Sequence, residues 1–166
     1  DVYKRQNLNF KLKGFTANFL FNGVFGNDIA NGNLIKLNNA EGLATNISPN
    51  AYNNAWRPDA QSNIYPRLGY DVTAYQAVGI SDRIIEDGSF LRLNNVTVSY
   101  DIPVEKSLLM DRVNVYIAGK NLVTWTDYSG YNPEVSSFLN NGLINGVDWN
   151  GPRNAKTILL GLNINF

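Results

Sequence analysis

KTILLGLNINF, residues 156–166, is the stretch whose reading decides the fold. Ile158, Leu160, Leu162, Ile164 and Phe166 fall on one face of an extended chain, and Thr157, Leu159, Gly161, Asn163 and Asn165 on the other. Side chains of a strand point alternately to opposite sides, so one face is wholly apolar and the other mostly small or polar. Such a strand lies between a greasy phase and a wet one.

The same period recurs upstream. Leu8, Phe10 and Leu12 alternate with Asn7, Asn9, Lys11 and Lys13. Phe15, Ala17, Phe19, Phe21 and Phe25 oppose Thr16, Asn18 and Asn22. Val113, Val115 and Ile117 alternate with Asn114, Tyr116 and Lys120. Between Phe90 and Tyr100 the pattern is clean only at Val96, Val98 and Tyr100; Arg92 and Asn94 fall on the apolar side, which points to a bulge or to a position above the hydrocarbon. The reading is therefore five strands, at about 7–13, 15–25, 88–100, 112–125 and 156–166. Strands of about 9–11 residues cross a bilayer at a tilt.

The connections alternate in size: a tight turn at 13–15, a long Asn-, Gly- and Pro-containing loop at 26–87, a short link at 101–111 with a helical turn expected at Val104–Met110, and a second long loop at 126–155. Short turns on one side and long loops on the other mark an outer-membrane barrel. The expected fold class is all-β, an antiparallel transmembrane β-barrel segment with two long external loops. A soluble β-sandwich shares the alternation; the nearly all-Phe face of 15–25 and the Ile, Leu and Phe face of the terminal strand, with Asn and Lys on the opposite faces of the strands, argue for lipid on one side and a watery lumen on the other.

Composition narrows the function. With 14 basic and 14 acidic residues the net charge is zero, which gives no electrostatic footprint for nucleic acid. Cysteine and histidine are both absent, removing thiolate chemistry, the commonest general base and the commonest metal ligand. Charged residues make up 17%, against about 25% in soluble domains. No stretch reaches the roughly 18 apolar residues of a membrane helix. No apolar run follows Asp1-Val2-Tyr3-Lys4-Arg5, so an exported protein of this kind is expected to be longer, with this chain as its C-terminal part. DVYKRQ (1–6) resembles a recurrent artefact at the edges of assembled reads and is expected to be a non-native start.

Several segments also resemble one family. DGSFLRLNNVTVSYDIP (87–103), VNVYIAGKNLVTWTDYSGYNPEVSS (113–137) and TILLGLNINF (157–166) are similar to the C-terminal end of the SusC/RagA family, TonB-dependent transporters of Bacteroidetes. GVFGNDIANG (23–32) and WRPDAQSNIYPRLGYD (56–71) look like further family segments. The resemblance implies a 22-stranded barrel with an N-terminal plug, of which residues 7–166 supply about the last five strands. It also implies a SusD-like surface lipoprotein as lid, energy from the TonB complex, and import of oligosaccharides or peptides. A passive porin-like barrel and a secreted soluble β-domain that binds glycan are the competing functions.

Candidate chemistry is sparse, and the chain is read as a non-enzyme without cofactor or metal. Glu86-Asp87 is read as a solvated turn. Asn27, Asp28, Asn31 and Asn33 lack the spacing of a calcium loop, and Gly14, Gly23 and Gly26 lack that of a phosphate loop. Aromatic residues of the loops are the better candidates: Trp56, Tyr65, Tyr70, Tyr131 and Trp149, the last flanked by Asp148 and Asn150. Flat apolar faces with a polar tip suit sugar rings, and aromatic loops serve peptides too. Trp56, Tyr131, Asp148 and Trp149 are the expected ligand contacts. Trp125 and Tyr128, where strand 112–125 leaves the membrane, are expected in the interfacial aromatic girdle. Lys11, Lys120, Asn163 and Asn165 are expected to face the lumen, lining the path or holding the plug. Leu162, Ile164 and Phe166 resemble the closing-strand signal read by the barrel-assembly machinery.

Overall fold

The computed structural model of the chain describes residues 2–38, 46–68, 81–104, 111–137 and 145–166. In chain order the elements are β1 (Val2–Leu12), β2 (Phe15–Phe25), β3 (Asp28–Asn31), α1 (Asn33–Leu37), α2 (Pro49–Asn54), β4 (Ala55–Trp56), β5 (Tyr65–Arg67), a 3-10 turn at Asp82–Ile84, β6 (Ile85–Asp87), β7 (Phe90–Ile102), β8 (Arg112–Thr126), β9 (Val147–Asp148) and β10 (Thr157–Asn165). They form two units: a wall of residues 1–27, 88–127 and 153–166, and a loop unit of residues 28–87 and 128–152.

The wall is one antiparallel five-stranded sheet in the order β1-β2-β7-β8-β10, an up-and-down meander. Lys13 and Gly14 close its first hairpin with φ of 45° and 89°. Two left-handed residues match the twist of a two-residue hairpin loop, and Gly14 adopts that conformation without a Cβ penalty. Pairing places residues of adjacent strands on a common face. One apolar row crosses the whole sheet as Leu12, Phe15, Tyr100, Val115 and Leu162; the next runs Phe10, Ala17, Val98, Ile117 and Leu160. Between them on the opposite face lies the row Lys11, Thr16, Ser99, Tyr116 and Gly161. Leu12 and Leu160 are 72% and 77% exposed, so this apolar face is an outer surface and not a core. A contiguous apolar surface of that kind marks contact with lipid or with a partner.

The irregularity at 92–94 is a bulge. Leu20 pairs with Asn95 and Phe21 with Leu93, leaving Asn94 as an extra residue of β7. Across from it, Leu93 pairs with Val123 and Asn95 with Lys120, and Asn121 takes a left-handed φ of 52°. The inserted residue reverses the parity of the strand. Beyond it Leu91 and Leu93 join the apolar face. Arg92 turns to the polar face, is 3% exposed, and donates from Nε to Thr124 Oγ1 at 2.9 Å. Strand β1 starts at Val2, earlier than the alternation indicates, with residues 2–6 paired in register to 21–25. Lys4 and Gln6 continue the row of Leu8 and Phe10, so the apolar signal fades there while the pairing continues.

Both long connections carry short elements that the sequence reading leaves irregular. β3 pairs antiparallel with β6 and parallel with β9, so the two connections share one three-stranded sheet. Strands of two to four residues hold too few alternations to show a period. β4 and β5 form a separate parallel pair. Helix α2 starts as a Ser-Pro sequence should: Ser48 Oγ accepts from the Ala51 N–H at 3.1 Å, and Pro49 occupies the first turn. The small core here is Ile29, Tyr128 and Val135. Most of the helical turn expected at Val104–Met110 lies outside the described residues.

Candidate functional site

Two surfaces gather the polar chemistry, one in each unit. On the wall, Lys11, Thr16, Ser99, Arg112, Asn114, Asn163 and Asn165, with Leu162 and Ile164 of the edge strand β10, line a groove. Asp101 pairs across the strands with Asn114, one of these residues. Arg112 grips this carboxylate with Nε at 2.9 Å and Nη2 at 2.7 and 2.8 Å, and Asn114 Nδ2 adds a bond at 2.8 Å. A planar guanidinium fits a carboxylate two-fold, which fixes direction as well as charge. Lys120 pairs across to Thr157 and to Asn95 on the same face, farther along the sheet. Four residues expected on the wet face, Lys11, Lys120, Asn163 and Asn165, thus do share it.

In the loop unit, hydrogen bonds between residues distant in sequence fix one exposed tryptophan. Tyr128 is 5% exposed and its hydroxyl donates to Asp148 Oδ2 at 2.6 Å. The other oxygen of Asp148, Oδ1, accepts the Gly151 N–H at 2.9 Å. Burial first, and then the hydrogen bond to the Asp148 carboxylate, push the Tyr128 phenol well above the usual tyrosine range, because its ionised form would lose water and face a negative neighbour. Glu86 binds Ser129 through the N–H at 3.1 Å and the hydroxyl at 2.7 Å, and Asn31 Nδ2 reaches Glu86 and Ser129 at 3.4 and 3.3 Å. Asn33 Oδ1 accepts the Asn150 N–H at 2.9 Å, and Asn150 holds a left-handed φ of 64°.

These bonds bracket Trp149. Its backbone N–H donates to Ser137 Oγ at 2.6 Å. Its ring lies against the backbone of Gly32, where an added Cβ would come within 2.2 Å of Cε3. Only glycine allows that approach. The indole stays 46% exposed, with Lys36 Nζ 5.6 Å from its ring centroid.

The expected residues therefore separate. Trp149 and Tyr131 are exposed aromatics of the loop unit, and Trp56 is half-buried in β4. Asp148 is not a ligand contact: it is 2% exposed and both carboxylate oxygens are used internally. Tyr128 is not a girdle residue, because its ring is in the loop core and its hydroxyl is bonded to Asp148. Trp125 stays half exposed on the apolar face, opposite Leu91, near the end of β8. Tyr65 is drawn into the loop unit, its hydroxyl accepting from Asn50 Nδ2 at 3.0 Å. Tyr70 lies outside the described residues. Leu162 and Ile164 sit on the apolar face of β10, and Phe166 lies just past its end. Glu86 is a bonded anchor and not a free turn carboxylate. Sequence reasoning missed the Tyr128–Asp148 and Glu86–Ser129 pairs, whose members lie 20 and 43 residues apart with no local pattern to link them.

Searched against family models, the chain matches none. Individual proteins do match. It is 31% identical over 168 residues to the TonB-dependent receptor P3 of Formosa agariphila, covering 96% of the chain. It is 31% identical over 117 residues to the TonB-dependent receptor SusC of Bacteroides thetaiotaomicron, covering 63% of the chain. The chain spans 16% of the length of the first relative and 11% of the second. Among solved structures, the RagAB peptide importer in its "closed-closed" state superposes on 98% of the chain with a TM-score of 0.81 at 25% identity, the chain spanning 17% of it. An amphipathic antiparallel wall, a matching barrel segment and relatives of one kind agree: the chain belongs to the SusC/RagA family of TonB-dependent receptors, β-barrel proteins of the outer membrane.

Proposed function

We propose that this chain is a C-terminal stretch of barrel wall and two external loops in a transporter that imports oligosaccharides or peptides across the outer membrane. The carrying observation is the wall itself: an apolar face backed by a mostly polar one, followed from strand to strand across the five-stranded sheet. In a closed barrel the first face meets lipid and the second lines a wet interior. The likeness to the RagAB peptide importer and to SusC supports the transport reading. On this reading the loop unit is external and meets cargo together with a SusD-like surface lipoprotein. The TonB complex acts through parts of the protein beyond this segment, the barrel-assembly machinery reads the closing strand at Leu162, Ile164 and Phe166, and Trp125 marks the lipid boundary. No step of bond chemistry is assigned to the chain.

Deletion of the complete gene tests the reading. Loss of energised uptake of an oligosaccharide or oligopeptide, restored by the wild-type gene and abolished again without TonB, is the expected result. Uptake that persists without TonB would favour a passive porin-like barrel. Recovery of the product in the soluble secreted fraction would favour a free β-domain and sink both barrel readings.

A further inference from the structure

Trp149 and Lys36 together have a chemistry that neither long connection suggests alone. We propose that they form a subsite for an acidic sugar unit of the cargo, a uronate whose ring stacks on the indole and whose carboxylate pairs with Lys36. The proposal rests on the import reading above and narrows its substrate class.

The platform is built in advance. Trp149 is tied by its backbone N–H to Ser137, its neighbours Asn150 and Gly151 are tied to Asn33 and Asp148, and its ring is seated on Gly32. A ring held this way needs no ordering when a ligand arrives, which lowers the cost of binding. Flat, half-exposed indole matches the C–H face of a pyranose. That much would serve a neutral sugar. Lys36 adds the second requirement. It projects from the last turn of α1 with Nζ 5.6 Å from the ring centroid, and among the described residues no carboxylate pairs with it. The flexible stem lets the ammonium move from the indole to an anion stacked beside it. A carboxylate fixed to a flat ring satisfies both groups at once, whereas an acidic peptide brings the charge without a rigid ring face.

The test uses the full-length receptor purified in detergent, titrated with oligomers of galacturonate, glucuronate and mannuronate, each beside its neutral methyl ester, and with an acidic hexapeptide. At least one uronate oligomer should bind more tightly than its ester by about fivefold, as expected for one exposed ion pair, with the margin shrinking as salt is raised. Lys36→Gln should bring acid and ester to equal affinity. Trp149→Ala should remove binding of both, and Trp149→Phe should restore part of it, which separates a lost platform from a misfolded loop. Equal affinity for acid and ester in the wild type, or a preference that survives Lys36→Gln, would overturn the proposal. So would Trp149-dependent binding of the acidic peptide alone, or a receptor that imports its cargo yet binds no uronate. A receptor that shows no energised uptake at all removes the import reading, and this inference with it.

Discussion

The wall and the loop unit hold themselves together by opposite means. The wall has long strands, a continuous ladder and two chemically distinct faces, yet its apolar side chains remain exposed along β1 and β10. Its inner strands β2, β7 and β8 pair on both sides, and its apolar face is built for a surrounding that is itself apolar. The loop unit has strands of two to four residues and a core cluster of Ile29, Tyr128 and Val135. It relies on buried polar side chains, Asn31 and Asp148 among them, each bonded to a partner far along the chain. The difference teaches where each unit is vulnerable. The wall should tolerate polar change on its wet face and fail at charge on its apolar face. The loop unit should fail when one member of a buried pair is removed.

The largest effect tests the wall. Ile117 lies mid-strand on the apolar face between Val98 and Leu160. Ile117→Arg should cost about 2–4 kcal/mol if that face meets the bilayer midplane. In the full-length receptor it should abolish the heat-modifiable folded band in outer-membrane fractions. An undiminished band would mean that this face does not meet lipid.

Next comes the loop core. Tyr128→Phe removes the donor to Asp148 Oδ2 and keeps the ring. An acceptor left buried without its partner costs about 1–3 kcal/mol, so the amides of residues 146–151 should exchange faster while those of β8 stay protected. Equal protection in both variants would mean that the pair does not hold the Trp149 turn.

A smaller, graded effect follows from the raised pKa of the same phenol. The folded unit keeps its proton more tightly than the unfolded chain, so the contribution is complete below the ordinary tyrosine value of about pH 10 and is lost as pH rises beyond it. Protection at 146–151 should fall above that pH in the wild type and show a weaker dependence in Tyr128→Phe. An identical pH profile in the two proteins would contradict the assignment.

The smallest effect belongs to the wet face. Asp101→Asn removes the charge gripped by Arg112, but both side chains are open to solvent, and exposed pairs contribute little. Barrel assembly and heat stability should stay at wild-type levels. A clear loss would show that this pair is enclosed in the assembled protein, and would shift it from ornament of the groove to part of its framework.

Legibility in the sequence follows the same division. The faces of β2, β8 and β10 were readable because a strand between lipid and water writes its environment into every second residue. Even the fault at Asn94 was visible, as a break in that alternation at Arg92, although only the pairing of Leu20 with Asn95 and of Phe21 with Leu93 located the extra residue. Trp149 stood out by residue type. Its setting did not, since Gly32, Asn33, Ser137 and Lys36 come from separate stretches of chain. Tyr128 was misread for the same reason: two residues after the end of β8, a tyrosine suits a membrane interface, and nothing local announces a carboxylate 20 positions on.

By itself, then, the sequence determined the wall: an antiparallel, two-faced sheet of strands long enough to cross a membrane, without the histidine or cysteine on which much site chemistry depends. Tertiary structure alone decided that the two long connections share a sheet, that Asp148 and Tyr128 face inward, and that Trp149 is the indole held outward beside a lysine. Periodicity is a local property, imposed on each strand by the phases on either side of it. A buried hydrogen bond between distant residues has no local signature, because its stability comes from a partner that only folding brings near.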